Sequence, residues 1–265
     1  AAVVGGTAKA TGAVVGAGPA LGWSDEELDE KIRRAFVRSD PLSDLAFPLV
    51  AMTRARKVAS LLQDAYGDID VADMPLPFFA VSSNLTSGKL EVHRTGLLRR
   101  AMRASIAIPG VMPPVVIDGQ VLVDGGVLKN FPTSVMRQLN TGPIVGVDMS
   151  QTRGVDPEAL QNPPSWWKWV LSGAWKRGPP IVSVLMRSAT LTTDAEMDEA
   201  RGQADVLVLP EAGGADIRDW KAYDGPVAAG YEAMRAALAD LPCPVTDLRH
   251  CAKETDAQAE VRAAE

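Results

Sequence analysis

The arrangement in this chain best suited to chemistry is a carboxylate at the end of an apolar strand, followed by two glycines. It reads Val121-Leu122-Val123-Asp124-Gly125-Gly126-Val127-Leu128-Lys129-Asn130-Phe131-Pro132. The carboxyl ends of strands are where α/β folds place their sites. Glycine leaves room for another backbone or a substrate to approach closely. A carboxylate so placed can take a proton from a hydroxyl nucleophile as general base. The bland alternative is an aspartate that only shapes a turn. Imidazole bases are scarce, because the chain holds only two histidines. His93 follows Glu91 on a charged strand and precedes Arg94, which reads as a surface position. His250 lies in a polar tail. Neither is expected to act as the base.

Two upstream segments change the weight of the Asp-Gly-Gly. The first is Val81-Ser82-Ser83-Asn84-Leu85-Thr86-Ser87-Gly88. The second is Arg103-Ala104-Ser105-Ile106-Ala107-Ile108-Pro109-Gly110-Val111-Met112-Pro113-Pro114. In this order and spacing the chain resembles the patatin-like phospholipases, and within them the bacterial and neuropathy-target-esterase-like branch. The likeness continues through Ile181 to Arg187 and through Asp219 to Tyr223, so it spans nearly the whole chain.

That resemblance implies a serine lipid acyl hydrolase working through a Ser-Asp dyad and an acyl-enzyme. Asp124 would be the base, with Gly125 and Gly126 supporting its loop. Gly5, Gly6 and Thr7 would form the oxyanion hole, where backbone N–H groups hold the tetrahedral intermediate. Ile108, Pro109, Val111 and Met112 would line the acyl groove; the bland reading is a loop covering the core. The substrate would be a phospholipid or lysophospholipid. Neither metal nor organic cofactor is implied. A dyad also explains how a hydrolase manages with so few histidines.

The nucleophile is the difficulty. No Gly-x-Ser-x-Gly occurs in the chain. Gly5-Gly6-Thr7-Ala8-Lys9 resembles the family's oxyanion loop. Thr11-Gly12-Ala13-Val14-Val15 resembles the stretch just after the family's nucleophilic serine. A strand–helix–strand unit needs about 30 residues, and here the two segments nearly touch. Three explanations stand. A segment near residues 10–11 is absent from the sequence, or Ala8 or Ala10 replaces the serine, or Thr7 or Thr11 serves instead. The last fits worst, because a β-branched residue suits a strained elbow badly. Two functions compete with the hydrolase: a catalytically dead lipid-binding or scaffold module of the same fold, and a soluble esterase of small esters or thioesters.

A tryptophan-rich stretch carries four of the six tryptophans, Trp166, Trp167, Trp169 and Trp175, beside Lys168, Lys176 and Arg177. Tryptophan and basic residues favour the membrane–water interface. Peripheral membrane contact there is weighed evenly against inward packing or an oligomer contact. Arg54, Arg56, Lys57, Arg99, Arg100 and Arg103 could add attraction to anionic lipid, although solvated helix faces explain them as well. Cys243 and Cys251 match no metal spacing and receive no role.

The elements that must position these residues alternate. Short apolar runs at residues 1–4, 76–83, 143–149 and 206–209 read as buried strands. Val115–Ile117 and Val121–Val123 flank Asp118-Gly119, a hairpin signal. Helices are expected over 11–21, from a Ser24/Glu27 capping box onward, over 54–66 with Gly67 as the stop, and over 97–108, 131–139, 181–204 and 223–241. The fold class expected is three-layer α/β, with a mostly parallel central sheet and helices on both faces. Residues 1–242 would form the hydrolase domain, with a missing segment expected near 10–11, and 243–265 a polar tail. The chain opens on Ala1 inside an apolar run, as a fragment or processed chain would.

The 265 residues are enough for a real core, and 46% apolar with 23% charged is a globular composition. The net charge of −6 argues against a dedicated nucleic-acid binder. No apolar run reaches the roughly 18 residues of a spanning helix. The expected location is the bacterial cytoplasm or the cytoplasmic membrane face.

Overall fold

A computed structural model of the chain describes residues 4–6, 12–46, 50–149, 188, 196–211, 223–248 and 251. The tryptophan-rich stretch, Thr7, the join expected near residues 10–11, and the segments 181–187 and 219–222 lie outside them. The chain divides into two compact units, one from Val4 to Pro132 and one built from Thr133–Met149 and the chain from Asp198 onward.

The first unit is organised around strand β2, Phe78–Asn84, which is buried at every position. Its apolar first half accounts for that burial, and its polar second half, Ser82-Ser83-Asn84, makes hydrogen bonds instead. Strand β1, Val4–Gly6, runs parallel to β2, with Gly6 opposite Ala80. Strand β3, Lys89–His93, is antiparallel to β2. Strands β4, Val115–Ile117, and β5, Gln120–Asp124, form the expected hairpin, and β5 pairs antiparallel with β2. Asp118 and Gly119 both have positive φ, 49° and 76°, as a type I′ turn requires. The expected parallel pairing is thus present at β1–β2, while β3, β4 and β5 run antiparallel. Short turns account for the β2–β3 and β4–β5 pairs, since a tight turn can join only antiparallel neighbours, whereas β5 reaches β2 only after β3, α4 and β4.

Helices α1, Gly12–Ala20, α3, Arg56–Tyr66, and α4, Leu98–Ser105, pack together against β2. Between α1 and α3 lies α2, Asp25–Ile32, capped by Ser24, whose Oγ accepts the Glu27 N–H at 3.2 Å. The chain then widens into a π-helical turn over Arg33–Arg38. Small residues let α1 come close: Ala13, Ala17 and Ala20 are fully buried. A Cβ on Gly18 would lie 2.6 Å from Leu28 Cδ1. Gly67, at φ +53°, stops α3 as expected and returns its N–H to Gln63 O.

Tyr66 locks α3 to α1. Its ring stacks on Trp23 at 5.6 Å, and its hydroxyl donates to Val14 O at 3.0 Å. The ring is buried, and burial pushes the phenol well above its ordinary range. Tyr66→Phe keeps the stack and loses one buried hydrogen bond, so it should cost about 1 kcal/mol in denaturant unfolding.

The second unit holds β6, Val145–Val147, parallel to β7, Val206–Val208. Helix α5, Thr133–Leu139, is tied to α6, Met197–Gly202, by Thr133 Oγ1 donating to Ala200 O at 2.8 Å. Arg201 holds Asp148 at 2.7 Å. Helix α7, Asp224–Ala239, lays Ala233, Met234 and Ala237 against Val206 and Val208. Beyond it Cys243 and Cys251 form a disulfide, a pairing that their spacing did not suggest. Among the described residues no helix is long and apolar enough to cross a membrane.

Candidate active site

Asp124 is the last residue of β5 and is only 4% exposed. Its backbone N–H donates to Ala107 O at 3.0 Å, which fixes it to the loop leaving α4. Its Oδ1 accepts the Gly126 N–H at 2.7 Å. Burial raises the carboxyl from 3.8 to about 7, and the Gly126 bond pulls the other way. A carboxylic acid held there exchanges a proton near neutral pH, which suits a general base.

The strand register gives Asp124 its setting. Both β1 and β5 lie on the edge of β2 that β3 does not use, since Ala80 and Ser82 each have a β3 partner as well. β1 runs up that edge and ends with Gly6 opposite Ala80. β5 runs down it and ends with Asp124 opposite Ser82. The ends of the two strands therefore face each other, two β2 residues apart, which is about 7 Å along a strand. Gly5 and Gly6 thus reach the neighbourhood of Asp124 as the last two residues of β1.

The Asp-Gly-Gly turn is shaped by β2. Gly125–Val127 form a single 3₁₀ turn after Asp124. A Cβ on Gly125 would lie 2.5 Å from Val81 O, so only glycine fits. Ser83, fully buried, accepts the Leu128 N–H at 3.1 Å and donates to Gly125 O at 3.4 Å, clamping the turn. The Asn84 side chain accepts the Thr86 and Ser87 N–H groups, and its amide donates to Gln120 of β5.

The loop after α4 is held from the other side. Gly110 O and Val111 O accept the N–H groups of Met52 and Thr53, and Thr53 Oγ1 also donates to Val111 O. Met112 is buried in the core at 3% exposure, while Ile108 and Val111 pack partly exposed against it. Through Ala107 this loop is continuous with the support of Asp124.

His93 departs from its expected surface position. Its Nε2 lies 2.8 Å from the fully buried Ser82 Oγ, and burial lowers the ring to about 4. The charged neighbours on β3 concealed this. Two serines inside an otherwise apolar strand were the available signal, since buried hydroxyls need partners.

The patatin-like phospholipase family model matches residues 3–137, just over half the chain, and covers every element around Asp124. The chain belongs to the patatin-like phospholipase family. Its three-layer α/β fold, a central sheet with helices on both faces, comes with that membership. An uncharacterized NTE family protein of Mycobacterium tuberculosis is 33% identical over 244 residues, 90% of this chain and 41% of its own length. Neuropathy target esterase sws of Drosophila melanogaster is 27% identical over 183 residues, 66% of this chain and 13% of its own. Lysophospholipase NTE1 of Mycosarcoma maydis is 30% identical over 165 residues, 60% of this chain and 9% of its own. The chain thus spans well under half the length of these curated relatives.

Proposed function

We propose that this chain is the acyl-ester hydrolase region of a phospholipid- or lysophospholipid-cleaving enzyme, with Asp124 as the base of a Ser-Asp dyad. The observation that carries the reading is the buried Asp124 carboxyl, poised near neutrality where the ends of β1 and β5 meet. Relatives named for esterase and lysophospholipase activity support the substrate class.

The nucleophilic serine belongs, in this reading, to a segment between Ala10 and Thr11 that the 265 residues do not include. As its Oγ bonds the ester carbonyl carbon, its proton passes to Asp124. The carbonyl oxygen becomes an oxyanion, held by backbone N–H groups at Gly5, Gly6 and Thr7. Collapse breaks the bond to the alcohol, which leaves with the proton from Asp124. Water then repeats the sequence on the acyl-enzyme and releases the fatty acid. The groove for the acyl chain runs along Ile108, Pro109 and Val111, with Met112 buried in the core beneath them. Catalysis takes place at the cytoplasmic membrane face, with Trp166, Trp167, Trp169 and Trp175 as the membrane contact.

The base works only when ionised, so the rate should rise with pH through about 7. At pH 6 it should be about one-tenth of its plateau, measured on a lysophospholipid. A peptide map across the β1–α1 join, taken on protein from the complete gene, should contain a Gly-x-Ser-x-Gly.

The substrate test compares micellar lysophosphatidylcholine with a short-chain ester. Preferential release of fatty acid from the lysolipid supports the proposal. Cleavage of the short ester alone points to a small-ester esterase. The missing Gly-x-Ser-x-Gly favours one competing reading, a non-catalytic lipid-binding module. Vesicle binding with no hydrolysis of either substrate would establish that instead.

A further inference from the structure

We propose that the Lys129 ammonium receives the phosphate of the substrate's headgroup and so selects phospholipid-type esters over uncharged ones. This rests on the reading of the Asp124 turn as the catalytic end of an ester hydrolase. The turn fixes where Lys129 stands. Its backbone N–H donates to Gly125 O at 2.8 Å. The Leu128 N–H before it is shared between Gly125 O at 3.2 Å and the buried Ser83 Oγ at 3.1 Å. Lys129 is therefore held one helical turn, about 6 Å, beyond the glycine that directly follows Asp124.

The ammonium lacks an anion. Elsewhere among the described residues, each half-buried lysine or arginine has a partner. Lys31 pairs with Glu27, Arg33 with Asp29, Arg99 with Asp68, Arg137 with Asp205 and Arg201 with Asp148. Arg103 donates to Pro113 O. Lys129 is half-buried like them, yet its Nζ makes neither an ion pair nor a hydrogen bond. A cation taken partly out of water is costly unless something supplies the counter-charge. Asp124 is not that counter-charge. An ammonium within about 4–6 Å would lower its carboxyl, whereas burial and the Gly126 bond are what set it.

The chemistry of the ligand follows from the charge and its place. A compact ammonium on a flexible four-carbon stem binds phosphate as a point charge. In a lysophospholipid the glycerol carries the scissile ester on one carbon and the phosphate on another. The phosphate therefore stands several bonds away from the ester carbonyl. A cation fixed to the Asp124 turn, but too far from the carboxyl to lower it, matches that separation. A monoacylglycerol has the same ester and the same glycerol without the phosphate, and gives this cation nothing to hold. Inorganic phosphate shares the phosphate chemistry and lacks the acyl chain.

The test uses Lys129→Met and Lys129→Arg in protein from the complete gene, with folding checked by circular dichroism. Met keeps the apolar stem and removes the charge, whereas Arg keeps the charge. Lysophosphatidylcholine is compared with the monoacylglycerol of the same acyl chain. On the lysolipid, Lys129→Met should lose about tenfold in kcat/KM, mostly through KM, as removal of one charge-assisted contact predicts. On the monoacylglycerol it should match the wild type, and Lys129→Arg should stay near the wild type on both. Binding is measured separately by calorimetry, with an ether analogue of lysophosphatidylcholine below its micelle concentration and with inorganic phosphate. The ether lipid should bind Lys129→Met about tenfold more weakly than the wild type. Equal losses on the two substrates, or no loss on the lysolipid, would overturn the proposal. So would inorganic phosphate binding the wild type as tightly as the ether lipid does, which would assign the ammonium to free phosphate. If the wild-type protein hydrolyses neither substrate, the hydrolase reading fails, and binding of the ether lipid still decides the role of Lys129.

Discussion

Asp124→Asn should abolish lipid ester hydrolysis, by at least about a thousandfold, and at the same time stabilise the protein at pH 8. Both effects come from the same burial. Asparagine keeps a carbonyl oxygen for the Gly126 N–H but cannot accept a proton, so catalysis stops. The stability gain comes from linkage. Asp124 binds a proton more tightly in the folded chain than in the unfolded one, about 7 against 3.8. The folded state is therefore favoured fully below about pH 4. That advantage drains away as the pH rises to about 7, and at pH 8 the folded protein holds an uncompensated buried charge. At roughly 1.4 kcal/mol per pH unit, the cost at pH 8 is up to about 4 kcal/mol. The asparagine variant escapes it. For a chain of this size, thermal unfolding at pH 8 should shift upward by about 5–10 °C, and the difference should vanish near pH 4. An unchanged melting curve at pH 8 would mean that the carboxylate finds compensation beyond the Gly126 bond.

Gly125→Ala should be the most damaging single methyl group that can be added to the site. Its Cβ would lie 2.5 Å from Val81 O and 3.0 Å from Val81 C, both backbone atoms of a strand buried along its whole length. Neither can swing aside as a side chain would. β5 must move off β2, taking Asp124 with it. A stability loss above about 3 kcal/mol is expected, from steric overlap in a packed core. Hydrolysis should fall by at least about a hundredfold, because displacement of the order of 1 Å costs that much in catalysis. Gly119→Ala is the control. Gly119 has φ +76° but open space around its Cβ position. Only backbone strain remains, at about 1–2 kcal/mol, and activity should persist. Gly125 itself has no left-handed φ, so equal damage from both variants would contradict the contact with Val81 as the reason for glycine at 125.

Local signals in the sequence were the ones that survived folding. Ser24 caps α2 through the Glu27 N–H, Asp118-Gly119 turns the β4–β5 hairpin, and Gly67 ends α3. Each is decided within a few residues, so periodicity and turn chemistry suffice. Asp124 drew attention for a different reason: the triplet alone reads as readily as a turn, and only its order and spacing after Val81–Gly88 and Arg103–Pro114 carry the resemblance that singles it out. The features that were not legible depended on pairing. β3 shows Lys89 and Glu91 outward, and nothing local says that His93 reaches diagonally to a serine eleven residues earlier. The meeting of the β1 and β5 ends on one edge of β2 is likewise a matter of register, which no single segment carries. The Cys243–Cys251 bridge was hidden because the spacing invited a comparison with metal sites and no other.

The central claim is that Asp124 activates a serine. Labelling with a fluorophosphonate, which phosphorylates activated serines, tests it most directly when the rate is followed against pH in the wild type and in Asp124→Asn. The account predicts one labelled serine, in the segment joining β1 to α1, with a rate that falls about tenfold per pH unit below about 7. Asp124→Asn should be labelled negligibly at every pH. Equal labelling of the two proteins, or a wild-type rate that does not change between pH 5 and pH 8, would contradict it.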